Sequence, residues 1–295
     1  ISYFAIFNYN LNNFFTSIFI SFFPLLIISA KEDLYQNTKP LNRIMIMVLA
    51  TSIFFAVDKT VFPKLEFILV VNLFNNFYFM LAFFIFSVLV IVNGTNFIDG
   101  SNGLMSTTIL SQLFCIIFLS LEVGDEFTFS ICIILVLPII IFLIFNFPLG
   151  KLFMGDLGAY FFGFTVSMII IKFFGKHPDL LSWNAILILF YPSIEILFSF
   201  LRKIFYEKTA PMEEDNLHLH TIIFDYGKFK NINTKIMNNL ILILLCPFWI
   251  SPIFIVRYYK DLNIIIISII MLVLIYVILY IYLRIKINEL KKKSY

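Results

Sequence analysis

The stretch that decides the fold runs from Phe67 to Met105 and reads FILVVNLFNNFYFMLAFFIFSVLVIVNGTNFIDGSNGLM. Its apolar part, 67–92, is long enough as helix to cross a hydrocarbon core of about 30 Å. Its last part, 93–105, turns abruptly polar, with three glycines, three asparagines and Asp99. A span that ends in such a segment is leaving the bilayer and carrying chemical groups to its surface.

Working outward, the same alternation repeats. Apolar runs at 13–29, 41–57, 104–121, 127–146, 156–172, 184–201, 237–256 and 262–283 join 67–92 as about nine predicted spans. Residues 1–7 read as an N-terminal stub, with Asn8–Asn13 as a turn. Hydrophobic residues fill 61% of 295 positions and charged residues only 13%. A soluble domain carries about 25% charged residues, so this composition cannot cover a globule with polar surface. The predicted class is all-α: a polytopic transmembrane helix bundle, with 1–295 as a single integral membrane domain.

The net charge of +3 belongs to basic residues flanking the spans, and nothing resembles a zinc finger or a basic groove. Nucleic acid is not an expected partner. Cys115, Cys132 and Cys246 lie inside apolar runs without CxxC spacing and read as packing residues. The connections 29–43, 93–103, 146–155, 202–236 and the tail 284–295 hold 15 Lys and Arg, whereas those on the other side hold 6. The positive-inside rule places the first set in the cytoplasm. The Asn-, Asp-, Gly- and His-rich segments fall on that same side, as one active site requires.

Four segments there carry chemistry. In 93–105, spacing of three sets Asn96 and Asp99 on one helical face, and an aspartate at membrane depth is costly without a partner. A glycine-rich helix end capped by asparagines is the plainer alternative. In Asn146–Gly158, Asp156 opens a helix between glycines, beside Lys151 and Phe153. An isolated Asp there is an ordinary helix start. Beside Asp99 it also suits Mg²⁺, which takes one or two carboxylates plus substrate phosphates. Glu32 and Asp33 are adjacent acids that repel, so one can serve as a proton acceptor, with Arg43 following. His218 and His220 share one side of an extended segment after Arg202, Lys203 and Lys208. Without cysteines they are too few for structural zinc, and they suit an anionic diphosphate. The domain expectation places this His motif in a cytoplasmic loop, 202–236. His177 stands on the opposite face and reads as incidental. Glu195, inside a span, is either a relay group or a packing partner.

These segments resemble the polyprenyl-phosphate N-acetylhexosamine-1-phosphate transferases, the bacterial glycosyltransferase family 4, to which phospho-MurNAc-pentapeptide translocase is related. Asn96–Leu104 resembles the family's NxxDGxxGL, Phe153–Gly158 its FMGDxG, and Asp215–Thr221 its DRxHxHH. The resemblance covers about 25–225 and implies transfer of a sugar 1-phosphate from a UDP-sugar to undecaprenyl (polyprenyl) phosphate. UMP is released and a cell-envelope polysaccharide such as a lipopolysaccharide is begun, at the cytoplasmic face of the bacterial inner membrane. It implies Mg²⁺, with Mn²⁺ as substitute, on Asp156 and Asp99, and catalytic roles for these two with Glu32 and Asp33. Arg43, Asn96, Asn102, Asn146, Lys151, Phe153, His218 and His220 are the implied substrate-binding set. A homodimer is compatible with the family.

The sequence departs from the pattern at Glu32, Leu41, Asn102, Asn216 and Thr221. Asn102 and the His-x-His-Thr order point away from the peptidoglycan branch. Ile1–Phe7 fits just after the family's first helix and Gly-Gly loop, so the chain reads as truncated. Two other classes stay open: a transporter relaying ions through Asp99 and Glu195, and a lapsed homologue that only binds lipid.

Overall fold

The computed structural model describes residues 2–66, 71–210 and 217–293, and among these there is no strand. The long helices are α1 (Ser2–Tyr35), α2 (Pro40–Asp58), α4 (Phe77–Phe97), α5 (Leu104–Val123), α6 (Glu126–Asn146), α7 (Gly155–Lys176) and α13 (Leu262–Lys293). Shorter ones are α3 (Val71–Phe74), α8 (Trp183–Ile188), α9 (Phe190–Arg202), α10 (Leu219–Phe229), α11 (Thr234–Leu244) and α12 (Cys246–Tyr258). Among the described residues, eight segments, with α11 and α12 counted together, are long and apolar enough to cross a membrane.

Three expectations need correction. The stub and turn at Asn8–Asn13 do not form, because α1 runs through them unbroken. That segment has no Gly or Pro, and an asparagine costs a helix only about 0.7 kcal/mol or less relative to alanine. Of the span expected at 67–92, residues 67–70 lie outside the described residues and the rest is interrupted: after α3, Asn76 accepts from the Tyr78 and Phe79 N–H groups and starts α4, which then continues to Phe97. The span expected at 184–201 is two pieces, α8 and α9, divided at Leu189. Pro192 cannot donate to the carbonyl one turn earlier, which breaks the ladder there. Pro247 marks the similar division between α11 and α12 at Leu245.

Two helices form the interior. About 78% of the apolar windows of α5 and α7 is buried, against 22% for α13 and 33% for α6. On α6, Ile133, Ile134, Leu137, Ile141 and Ile144 are exposed. In a bilayer such a surface meets lipid tails rather than water, so it carries no burial penalty. α7 packs on α1 and α4, and α4 packs on α9. Both α4 contacts rest on glycine: a Cβ on Gly94 would lie 2.2 Å from the Pro192 carbonyl oxygen, and one on Gly163 3.0 Å from Thr95 Oγ1. Backbones that approach this closely fix the relative depth of three helices.

The two ends of the bundle differ. At one end, Asp125 accepts from Lys176 Nζ at 2.9 Å, lies 3.0 Å from His177 Nε2, and caps α6 through Thr128. Nearby, Lys172 Nζ is 2.7 Å from each Asp58 oxygen. Burial alone would raise the Asp125 carboxyl, but bonds from His177, Lys176 and Thr128 outweigh it and hold it below the usual range. His177 is therefore a hydrogen-bond partner of Asp125 at this end of the bundle, away from the four motif segments. The other end gathers the starts of α2, α5, α7 and α10 with the ends of α1, α4 and α6.

Candidate active site

An α-helix leaves its first four N–H groups without intrahelical partners. For α7 these belong to Met154, Gly155, Asp156 and Leu157, and two carboxylates take three of them. Asp99, just past the end of α4, accepts from Met154 N–H at 3.1 Å and lies beside the Gly155 N–H. Asp33, near the end of α1, accepts from Asp156 N–H at 2.8 Å and Leu157 N–H at 3.0 Å. Gly155 makes this fit possible, since its φ is 68° and a Cβ there would stand 2.9 Å from Asp33 Oδ1. The positive end of the helix dipole favours both anions.

Asp156 is the third acid at this helix start. Its Oδ2 lies 3.3 Å from Arg43 Nη1, and Asn96 and Tyr160 hydrogen-bond its carboxylate. Tyr160 also bonds Arg43. Arg43 Nη1 is 3.8 Å from Glu32 Oε1, while Glu32 accepts from the Thr38 N–H at 2.9 Å and from the Thr38 hydroxyl. Glu32 and Asp33 therefore face different partners, one the turn before α2, the other α7. Glu32, Asp33, Arg43, Asn96, Asp99 and Asp156 come together; Tyr160 and Thr38 join them without having been singled out from sequence.

The other candidates lie around this group. Asn146 is 2% exposed and fully engaged: its Oδ1 accepts from Gly103 N–H at 2.5 Å, and its Nδ2 donates to the Leu152 carbonyl at 2.6 Å. Asn102 donates its side chain to the Pro148 carbonyl at 3.3 Å and its N–H to Asn238 Oδ1 at 3.2 Å. Both amides tie the loop after α6 to the start of α5. Lys151 and Phe153 are exposed on that loop, Phe153 at 61%. His218 and His220 stack in parallel with ring centres 5.8 Å apart. His218 lies 4.5 Å from the Phe97 ring, and a Cβ on Gly100 would be 2.7 Å from His220 Nε2. The histidines thus adjoin Phe97 and Gly100, the chain neighbours of Asn96 and Asp99. Burial pushes His220 down to about 4, so it is a neutral ring at pH 7. Asp215 and Asn216 lie outside the described residues.

The donor set suits a hard cation. Carboxylate oxygens keep a second lone pair after accepting one N–H. Among the described residues no three His, Cys, Asp or Glu side chains form a metal cage. What is present matches an ion held by one or two carboxylates and completed by phosphate oxygens, which is how Mg²⁺ binds.

A sequence model of the family described as Glycosyl transferase family 4 matches residues 15–174, which include every acid of this site. A probable undecaprenyl-phosphate N-acetylglucosaminyl 1-phosphate transferase of Bacillus subtilis is 26% identical over 221 residues, 72% of this chain and 59% of that protein. An undecaprenyl-phosphate alpha-N-acetylglucosaminyl 1-phosphate transferase of Thermotoga maritima is 33% identical over 51% of this chain and 46% of its own length. A phospho-N-acetylmuramoyl-pentapeptide-transferase of Dictyoglomus turgidum is 35% identical over 32% of this chain and 31% of its own. The chain thus spans between about a third and three fifths of the relatives it matches. With the motifs in order, the acids converging on one helix start and the family match covering more than half its length, the chain is an integral membrane protein that belongs to glycosyl transferase family 4.

Proposed function

We infer that this protein transfers a sugar 1-phosphate, of the N-acetylhexosamine class, from a UDP-sugar to undecaprenyl phosphate. The observation that carries the reading is the α7 start, where acids from two other segments take three of the four free N–H groups beside Asp156 and Arg43. This puts charged groups for a diphosphate at one end of a bundle whose sides are apolar, where a lipid-borne phosphate can meet a soluble nucleotide. The excess of Lys and Arg on this side, 15 against 6, supports a cytoplasmic location.

In this mechanism an oxygen of the lipid phosphate attacks the β-phosphorus of the UDP-sugar. The bond from that phosphorus to the oxygen bridging the two phosphates breaks, releasing UMP and leaving lipid diphosphate-sugar. Asp33 takes the proton of the lipid phosphate, while the α7 N–H groups hold its carboxylate in place. Arg43, steadied by Glu32, Asp156 and Tyr160, pairs with phosphate oxygens. Asp99 and Asp156 would hold Mg²⁺, or Mn²⁺, which when bound neutralises charge on the diphosphate. His218 and His220 would flank that group, and Lys151 and Phe153, exposed on the loop after α6, would meet the nucleotide.

The test uses membranes containing the protein, undecaprenyl phosphate, Mg²⁺ and a panel of UDP-sugars. UMP release should require the lipid phosphate and disappear with EDTA. Asp156→Asn should lower turnover at least about 100-fold, the scale for losing a group that stabilises transition-state charge. Full activity in Asp156→Ala, or UMP release that ignores the lipid, would overturn the reading.

A further inference from the structure

One buried charge has no part in that mechanism. Glu195 in α9 is 1% exposed. Such a carboxylate costs several kcal/mol unless it is well partnered, and its partners come from three elements. Tyr191 in α9 donates its hydroxyl to Oε1 at 3.1 Å. Tyr276 in α13 also hydrogen-bonds the carboxylate. At the start of α10, Leu219 N–H donates to Oε2 at 3.4 Å, and His218 Nδ1, buried and making no hydrogen bond, lies 3.5 Å from the same oxygen. Glu195 thereby satisfies an open N–H at that helix start, where a negative charge is favourable.

The contacts continue into the site. His218 stacks on His220 and lies against Phe97, and His220 presses on Gly100, next to Asp99. A carboxylate that receives one ring N–H of a histidine fixes its tautomer and orientation, and so decides which nitrogen faces a ligand.

We propose that Glu195 is the positioning residue for His218, accepting its Nδ1–H so that Nε2 is the edge that meets the phosphates of the substrate. The inference rests on the transferase reading for its substrate but not for its geometry. Glu195 touches neither the substrate nor the acids of the site; it acts through the ring it holds.

Glu195→Gln keeps an oxygen for the tyrosine hydroxyls and removes the charge opposite Nδ1. Turnover should fall about 10–100-fold, the usual loss on removing such an outer partner. His218→Ala should fall as far, and the double variant little further, because both changes remove one unit. Losses that multiply, or wild-type turnover in Glu195→Gln, overturn the proposal. A second readout does not depend on activity. In ¹⁵N-histidine spectra of the protein, which has three histidines, His218 should carry its proton on Nδ1, and Glu195→Gln should mix the tautomers. A neutral His218 protonated on Nε2 in the unaltered protein overturns the positioning role even if Glu195→Gln fails to fold. If every UDP-sugar is inert, the transferase reading falls while the spectrum still decides the role of Glu195.

Discussion

Asp156 and Tyr160 are four residues apart on α7 and therefore lie on one face. This spacing is the signal by which Tyr160 is readable from sequence once Asp156 is chosen. Its hydroxyl bonds both Asp156 and Arg43, and the side chain is 1% exposed. Tyr160→Phe keeps the ring and removes only that link. Turnover should fall about fivefold to tenfold, the equivalent of a hydrogen bond of about 1 kcal/mol, with expression and melting temperature little changed. UMP release at saturating lipid and UDP-sugar measures it, and an unchanged rate would remove Tyr160 from the site. Asp99 is readable because an aspartate at membrane depth is costly without a partner, whereas Asp156 stands out only beside it and Asp33 only as one of an adjacent acidic pair. Thr38 is not readable, because a lone threonine in a polar turn looks like any other. The double engagement of Asn146 is hidden for a similar reason: a buried amide bonding two backbone segments and an exposed one awaiting a ligand have the same letter and the same neighbours in sequence.

Helices are the level at which pattern reading succeeds best here, because a continuous apolar run has few alternatives. Its errors fall at interruptions. α8 and α9 read as one span because Leu189, where they part, is as apolar as its neighbours; the cause, Pro192, sits three residues on. Asn76 starts α4 with a cap, whereas the asparagines at 8–13 lie inside a helix, so composition alone does not separate the two. Which helices touch is less legible still, since in lipid an apolar face does not announce a protein partner. At Gly94 the Pro192 carbonyl of α9 occupies the space of a side chain, a contact that shows only in the structure. Gly94→Ala must push α4 and α9 apart at a cost of about 1–3 kcal/mol, the range for overpacking. A thermal melt in detergent should show a transition several degrees lower. An unshifted melt would mean that the two backbones are further apart than this contact requires.

For the whole molecule, the pattern of charge separates the ends. One end pairs its acids with lysines, as Asp58 with Lys172 and Asp125 with Lys176; the other gives Asp33 and Asp99 to backbone N–H groups. The first arrangement predicts an acid limb in stability. An unfolded aspartate titrates near about 3.9, and Asp125 is held lower in the fold by His177, Lys176 and Thr128 despite burial. The stabilisation is therefore complete above the unfolded value and is lost as pH falls through the lowered one. Melting temperature measured from pH 5 down to pH 2 should drop more steeply for the unaltered protein than for Asp125→Asn, and equal slopes would show that this cluster does not contribute. The second arrangement has an evolutionary consequence. Asp33 and Asp99 fasten α1 and the end of α4 to the start of the central helix, so losing either would loosen the molecule whatever it did to turnover. Folding alone would keep both aspartates in any descendant of this protein, including a lineage that had long abandoned turnover.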